Sequence, residues 1–89
     1  MSELRAEIDR VDRAVVTLLA ERQSYIERAA VLKPSRDVVH DDARIADVIS
    51  KVLAEAAKAG LRAEIAEPVW RVLIARSIAH EFETFDKVR

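Results

Sequence analysis

One amphipathic stripe near the N-terminus most constrains how this chain can fold. Its apolar residues recur at helical spacing and are Leu4, Ile8, Val11, Val15, Leu18, Ile26 and Ala29. Such a stripe predicts a helix of about 30 residues, which spans about 45 Å at 1.5 Å per residue. A chain of 89 residues forms a much narrower globule. We therefore predict a homodimer in which the long helices pack on each other, with a bare two-helix coiled coil as the alternative.

The chain's few turn-forming residues divide it into three helices. Pro34 ends the first helix, because proline disfavours the α conformation in the residue before it. Asp41 and Asp42 are favourable caps for the second helix, and Gly60 is suited to its left-handed end. The third helix starts just before Pro68, or about one turn earlier. We predict a single domain over 1–89 with helices over about 3–33, 42–59 and 63–86.

The composition favours an all-α fold. Hydrophobic residues make up 51% of the chain but aromatic residues only 4%, and there are one glycine and two prolines. Strands favour aromatic and β-branched residues, and tight hairpins need glycine or asparagine in their turns. The chain has no cysteine, which excludes disulfides and thiolate chemistry.

Charge and hydropathy limit the partners that we expect. The net charge is −1, so no overall field attracts nucleic acid or an anionic membrane. No apolar run has the length of a signal sequence or a membrane span. We expect a cytoplasmic protein that binds neither nucleic acid nor membranes. His40 and His80 have no neighbours at metal-ligand spacing, so we expect both on the surface and no metal site.

Two cations lie where the first stripe should be apolar. Arg22 and Lys33 are eleven residues apart, which leaves them about 20° apart around a helix and about 16 Å apart along it. Both can point into one cavity, where each needs an anion. That anion is either a ligand or a protein carboxylate, for instance Glu21 or Asp12 of a neighbouring chain, unless the side chains extend to solvent.

Two further positions are polar where helical spacing favours a buried side chain. Ser77 and Glu81 continue the stripe of Trp70 and Ile74 on the third helix. They either bind a polar ligand or mark the point where that stripe turns toward solvent. Arg44 lies in the first turn of the second helix, where the helix dipole disfavours a cation unless an anion is near.

Together these residues form an anion-binding set without a nucleophile beside a base. Several cations around one cavity suit a small dicarboxylate, and arginine can bind a carboxylate through two parallel hydrogen bonds. A unimolecular rearrangement suits this set, because it needs only a held conformer and stabilisation of developing charge.

Five parts of the sequence, which together extend over most of the chain, resemble the all-α chorismate mutase family. They are LRAEIDRVD at 4–12, LLAER at 18–22, Lys33, DDAR at 41–44 and LIARSIAHE at 73–81. The resemblance implies an intertwined helical homodimer with two pockets. Each pocket would convert chorismate to prephenate, the first step toward phenylalanine and tyrosine, without a cofactor.

The resemblance also assigns roles to single residues. Arg22 would hold one substrate carboxylate, and Arg5 of the other chain would hold the second. Lys33 would donate to the ether oxygen and to one carboxylate. The remaining site residues are the polar Asp41, Arg44 and Ser77 and the apolar Ala29, Ile45, Ile74 and Ile78.

Two positions depart from the family's commoner pattern. Ile45 stands where the mutases usually have a glutamate that binds the substrate hydroxyl. The isochorismate-pyruvate lyases, which share the fold, also have an apolar residue at this position. Glu81 stands where many members have a glutamine, so it must be protonated to donate to the ether oxygen. We keep three alternatives: the lyase, a mutase of amino-substituted chorismate, and a non-catalytic helical module for dimerisation or metabolite binding.

Overall fold

The computed structural model describes residues 1–89 and is all-α, as predicted, with three helices and no strand. Helix α1 covers Ser2–Leu32, α2 covers Asp42–Ala59 and α3 covers Ala63–Val88. A single 3-10 turn, Arg36–Val38, lies in the connection between α1 and α2.

The end of α1 follows from Pro34. Lys33 is the C-cap residue, with extended backbone angles of φ −70° and ψ 139°. This is the conformation that a following proline favours. The Lys33 N–H still donates to the Ala29 carbonyl at 3.0 Å, so the last turn of the helix is closed. The chain therefore leaves α1 directly at Lys33.

Helix α2 has a well-formed cap at each end. The Asp41 side chain accepts a hydrogen bond from the Arg44 backbone N–H at 3.0 Å, as expected of an N-cap aspartate. Gly60 has φ 79°, the left-handed conformation that glycine adopts without strain. The Leu61 N–H donates back to the Ala56 carbonyl at 2.8 Å. These caps fix where the chain turns from α2 into α3.

Helix α3 packs against both other helices. Its C-terminal half supplies Phe85, which packs in a small core with Ala30 of α1 and Val39 of the connection. Partly buried Ile78 and Phe82 extend that core. The core therefore joins the end of α1, the connection and the end of α3.

The N-terminal part of α1 lies outside this core. Every residue from 1 to 20 is exposed, including stripe members Leu4, Ile8 and Leu18, at 57%, 52% and 64%. The chain measures 50 × 24 × 16 Å, with a radius of gyration of 15.5 Å. A compact chain of this length has a radius of about 12 Å. The protomer thus leaves most of the α1 stripe uncovered. None of the helices combines the length and hydropathy needed to cross a membrane.

Candidate active site

A cavity of about 380 Å³ lies between the three helices and the connection. All of the site residues predicted from the sequence, except Arg5, line it. They are Arg22, Ala29, Lys33, Asp41, Arg44, Ile45, Ile74, Ser77, Ile78 and Glu81. The cavity has the size of a small-molecule site.

Arg5 is the one predicted residue that the protomer does not bring to the cavity. It lies in the exposed N-terminal part of α1. It precedes Arg22 by 17 residues, which is about 25 Å along a helix. Arg5 therefore lies far from the cavity of its own chain.

The ion pair between Lys33 and Glu81 joins α1 to α3 at one end of the cavity. The Lys33 Nζ donates to Glu81 Oε2. The Glu81 side chain is only 5% exposed and that of Lys33 is 29% exposed. Glu81 is the only charged residue of the chain that is buried. The stripe of α3 therefore does not turn toward solvent at Glu81, and the anion that Lys33 requires is a protein carboxylate.

Arg22 has a different kind of partner. Its Nη1 donates to Ser77 Oγ of α3 at 2.8 Å, which is a neutral acceptor. Burial lowers the pKa of Arg22, and the nearby Arg44 cation lowers that pKa further. A guanidinium stays charged in proteins. Arg22 and Arg44 thus face the cavity as mutually repelling cations, and an anion between them would be stabilised.

Arg44 is held by carboxylates along α2. Its Nη1 donates to Asp47 Oδ2 at 2.8 Å, and the Lys51 Nζ lies 2.9 Å from the same oxygen. Hydrogen bonding from Lys51, together with the charges of Lys51 and Arg44, lowers the pKa of Asp47. The cap residue Asp41 adds a second carboxylate near the Arg44 backbone. These anions explain why a cation is tolerated in the first turn of this helix.

Four apolar lining residues were not predicted as site residues: Ile26, Val38, Val39 and Val48. Ile26 follows Arg22 by one helical turn, and Val48 follows Arg44 in the same way. The i, i+4 spacing was therefore a usable signal for these two. Val38 and Val39 lie in and just after the 3-10 turn, whose path depends on tertiary packing.

His80, predicted as a surface residue, is only partly exposed: 37% of its side chain is accessible. His80 is half-buried, and its Nε2 lies 2.5 Å from Glu27 Oε2 of α1. Hydrogen bonds from His80 and Gln23 lower the pKa of Glu27. The His80–Glu27 pair links α3 to α1 beside the cavity. His40 is exposed as predicted, 2.8 Å from Asp42. No group of three or more histidines and carboxylates is arranged to hold a metal ion.

The family model described as chorismate mutase type II matches residues 4–82. The chain belongs to the chorismate mutase type II family. The matched residues include the whole cavity lining but end before the last turns of α3. The chain matches no curated protein.

The Lys33–Glu81 pair leads to a stability prediction. We expect Lys33→Met to lower the free energy of unfolding by about 2 kcal/mol, because it leaves the buried Glu81 carboxylate without its hydrogen-bond donor. The matched control is Lys58→Met, since Lys58 and Glu55 pair at 3.4 Å with both side chains 74% exposed. Urea denaturation at one protein concentration measures both variants. Equal stabilities for the two variants would contradict a structural role for the pair.

Proposed function

We propose that this chain is a chorismate mutase, which rearranges chorismate to prephenate without a cofactor. The observation that carries the proposal is the cationic cavity, in which Arg22, Lys33 and Arg44 surround one space of small-molecule size. In this role the enzyme would act in the cytoplasm, in the synthesis of phenylalanine and tyrosine.

The charge of the cavity suits an anionic substrate. Its lining carries three cations, Arg22, Lys33 and Arg44, against two carboxylates, Asp41 and Glu81, which leaves an excess of one positive charge. The Arg22 guanidinium has a hydroxyl instead of a carboxylate as its protein partner. A substrate carboxylate therefore has a free cation to bind, in the bidentate geometry that arginine offers.

The lining also suits the reaction type. A Claisen rearrangement is unimolecular: one carbon–oxygen bond breaks while one carbon–carbon bond forms within the same molecule. Catalysis then requires a held conformer and stabilisation of negative charge on the ether oxygen. Lys33 supplies an ammonium group with N–H donors for that oxygen. In the structure Glu81 accepts a hydrogen bond from Lys33 and so orients that ammonium, and it would supply a second donor only after protonation. Ala29, Ile74 and Ile78 supply apolar walls that shape the bound conformer.

We further propose a homodimer in which the partner subunit's Arg5 completes each cavity. The uncovered α1 stripe from Leu4 to Leu18 supports association through this helix. A distance of about 25 Å along the helix prevents Arg5 and Arg22 of one chain from holding one small molecule. Adding the partner subunit's Arg5 raises the excess charge from one to two, which balances a dicarboxylate.

Ile45 supports a second candidate function, that of an isochorismate-pyruvate lyase. Its half-buried side chain lines the cavity directly after Arg44, so an apolar group stands where most mutases place a carboxylate for the substrate hydroxyl. A change in the position of the ring substituent would remove the need for that carboxylate. The same reasoning keeps amino-substituted chorismate as a possible substrate of a related mutase.

Product analysis separates these functions. We expect the purified protein to convert chorismate to prephenate, as identified by NMR, and Lys33→Ala to be inactive while it keeps its helical circular dichroism. Isochorismate and amino-substituted chorismate are tested beside chorismate. Salicylate and pyruvate from isochorismate, with little prephenate from chorismate, would establish the lyase instead. No product from any of the three would contradict both enzymes and favour a dimerisation or metabolite-binding module.

The role of Glu81 as a donor predicts a pH dependence. Because only the protonated acid donates to the ether oxygen, kcat/KM for chorismate should fall as the pH rises over the range in which the enzyme stays folded. Glu81→Gln keeps a donor at every pH, so its profile should be flat over the same range. A wild-type profile as flat as that of the variant would remove this role.

A further inference from the structure

The backbone of Lys33 is held by a residue far away in the sequence. The last carbonyls of a helix lack partners within the helix, and α1 has no basic residue in its last turn. The Arg89 Nη2 donates to the Lys33 carbonyl and lies 3.4 Å from the Val31 carbonyl. Arg89 thus places a cation at the negative end of the α1 dipole.

Arg89 is itself held by the core. Its guanidinium stacks over the Phe85 ring, with Cζ 4.5 Å from the ring centroid. Phe85 is buried with Ala30, which lies in the last turn of α1, and with Val39. The guanidinium therefore contacts both a buried aromatic ring and the end of α1, and the cation–π contact with Phe85 favours the position in which it donates to the Lys33 carbonyl.

Lys33 is consequently bound at both of its ends by α3. Glu81 accepts a hydrogen bond from its ammonium, and Arg89 donates to its carbonyl. The residues 81, 85 and 89 are spaced by four, which aligns them along one side of α3 and its end. Because Pro34 ends the helix at this point, no further helical turn restrains Lys33.

We propose that Arg89 is a positioning residue that fixes the backbone of Lys33 and so aims its ammonium into the cavity. This proposal rests on the proposed mutase function for its catalytic consequence. Phe85 and Arg89 both lie beyond residues 4–82, which the family model matches. Arg89 does not line the cavity and acts only through Lys33.

The chain contains a matched control for this contact. Arg36 also stacks on a phenylalanine of α3, with Cζ 4.5 Å from the Phe82 centroid, and its Nε donates to Asp86 at 3.0 Å. Arg36 therefore joins the connection to α3 through a similar cation–π contact but does not contact Lys33. If the activity fell only because packing against α3 is weakened, Arg36→Ala and Arg89→Ala should lose similar amounts of activity.

The first experiment compares steady-state kinetics of these two variants with chorismate. We expect kcat to fall about tenfold in Arg89→Ala with a smaller change in KM, because a displaced donor mainly weakens transition-state contacts. Arg36→Ala should stay within about twofold of wild type. An equal loss of kcat in the two variants would overturn the positioning role.

A second measurement does not depend on turnover. The coupling between Lys33 and Glu81 is obtained from the unfolding of Lys33→Met, Glu81→Gln and the double variant. It should fall by at least half when the cycle is repeated with Arg89→Ala, and it should persist with Arg36→Ala. An undiminished coupling in the Arg89→Ala background would overturn the proposal. If wild type lacks activity on chorismate, the proposed function fails, and this cycle still decides whether Arg89 positions Lys33.

Discussion

The ion pair between Lys33 and Glu81 is the interaction on which the site depends. Pro34 ends α1 at Lys33, and the buried Glu81 carboxylate draws that side chain onto α3. A carboxylate that is nearly inaccessible to water requires a cation, so the pair fixes how α1 and α3 meet. The cavity lies along this junction, and Ser77, one turn before Glu81, reaches Arg22 from the same helix face.

The cavity and the long helix both contain groups that a single chain leaves without a matching partner. The cavity carries an excess of positive charge, because Arg22 has only a neutral protein partner. The N-terminal part of α1 carries an apolar stripe that its own chain leaves exposed. Association of two chains through these stripes would bury apolar surface, the main source of stability in such assemblies. It would also bring a further arginine to each cavity, which a dicarboxylate would then neutralise.

Local rules explain why much of the fold was predictable. The period of 3.6 residues, the effect of Pro34 on Lys33 and the left-handed Gly60 each depend on short-range chemistry. The cations within the α1 stripe could also be identified from the sequence, because a charged residue on an apolar helix face departs from the expected pattern.

Long-range pairing explains what the sequence did not predict. Nothing near His80 indicates that it meets Glu27, 53 residues earlier, because that contact depends on the crossing of α1 and α3. The partner of Lys33 and the path of Val38 and Val39 past the cavity likewise depend on tertiary packing. Arg89 and its two acceptors at the end of α1 are the furthest apart in the sequence, by 56 residues for Lys33 and 58 for Val31.

Subunit mixing most directly tests our proposal that each cavity is completed by a second chain. Arg5→Ala and Lys33→Ala would each give inactive homodimers. After the two are unfolded together and refolded, half of the dimers are mixed, and each mixed dimer has one intact site. A cavity completed in trans therefore predicts recovery of about one quarter of wild-type chorismate mutase activity. A refolded mixture as inactive as its two components would contradict the claim.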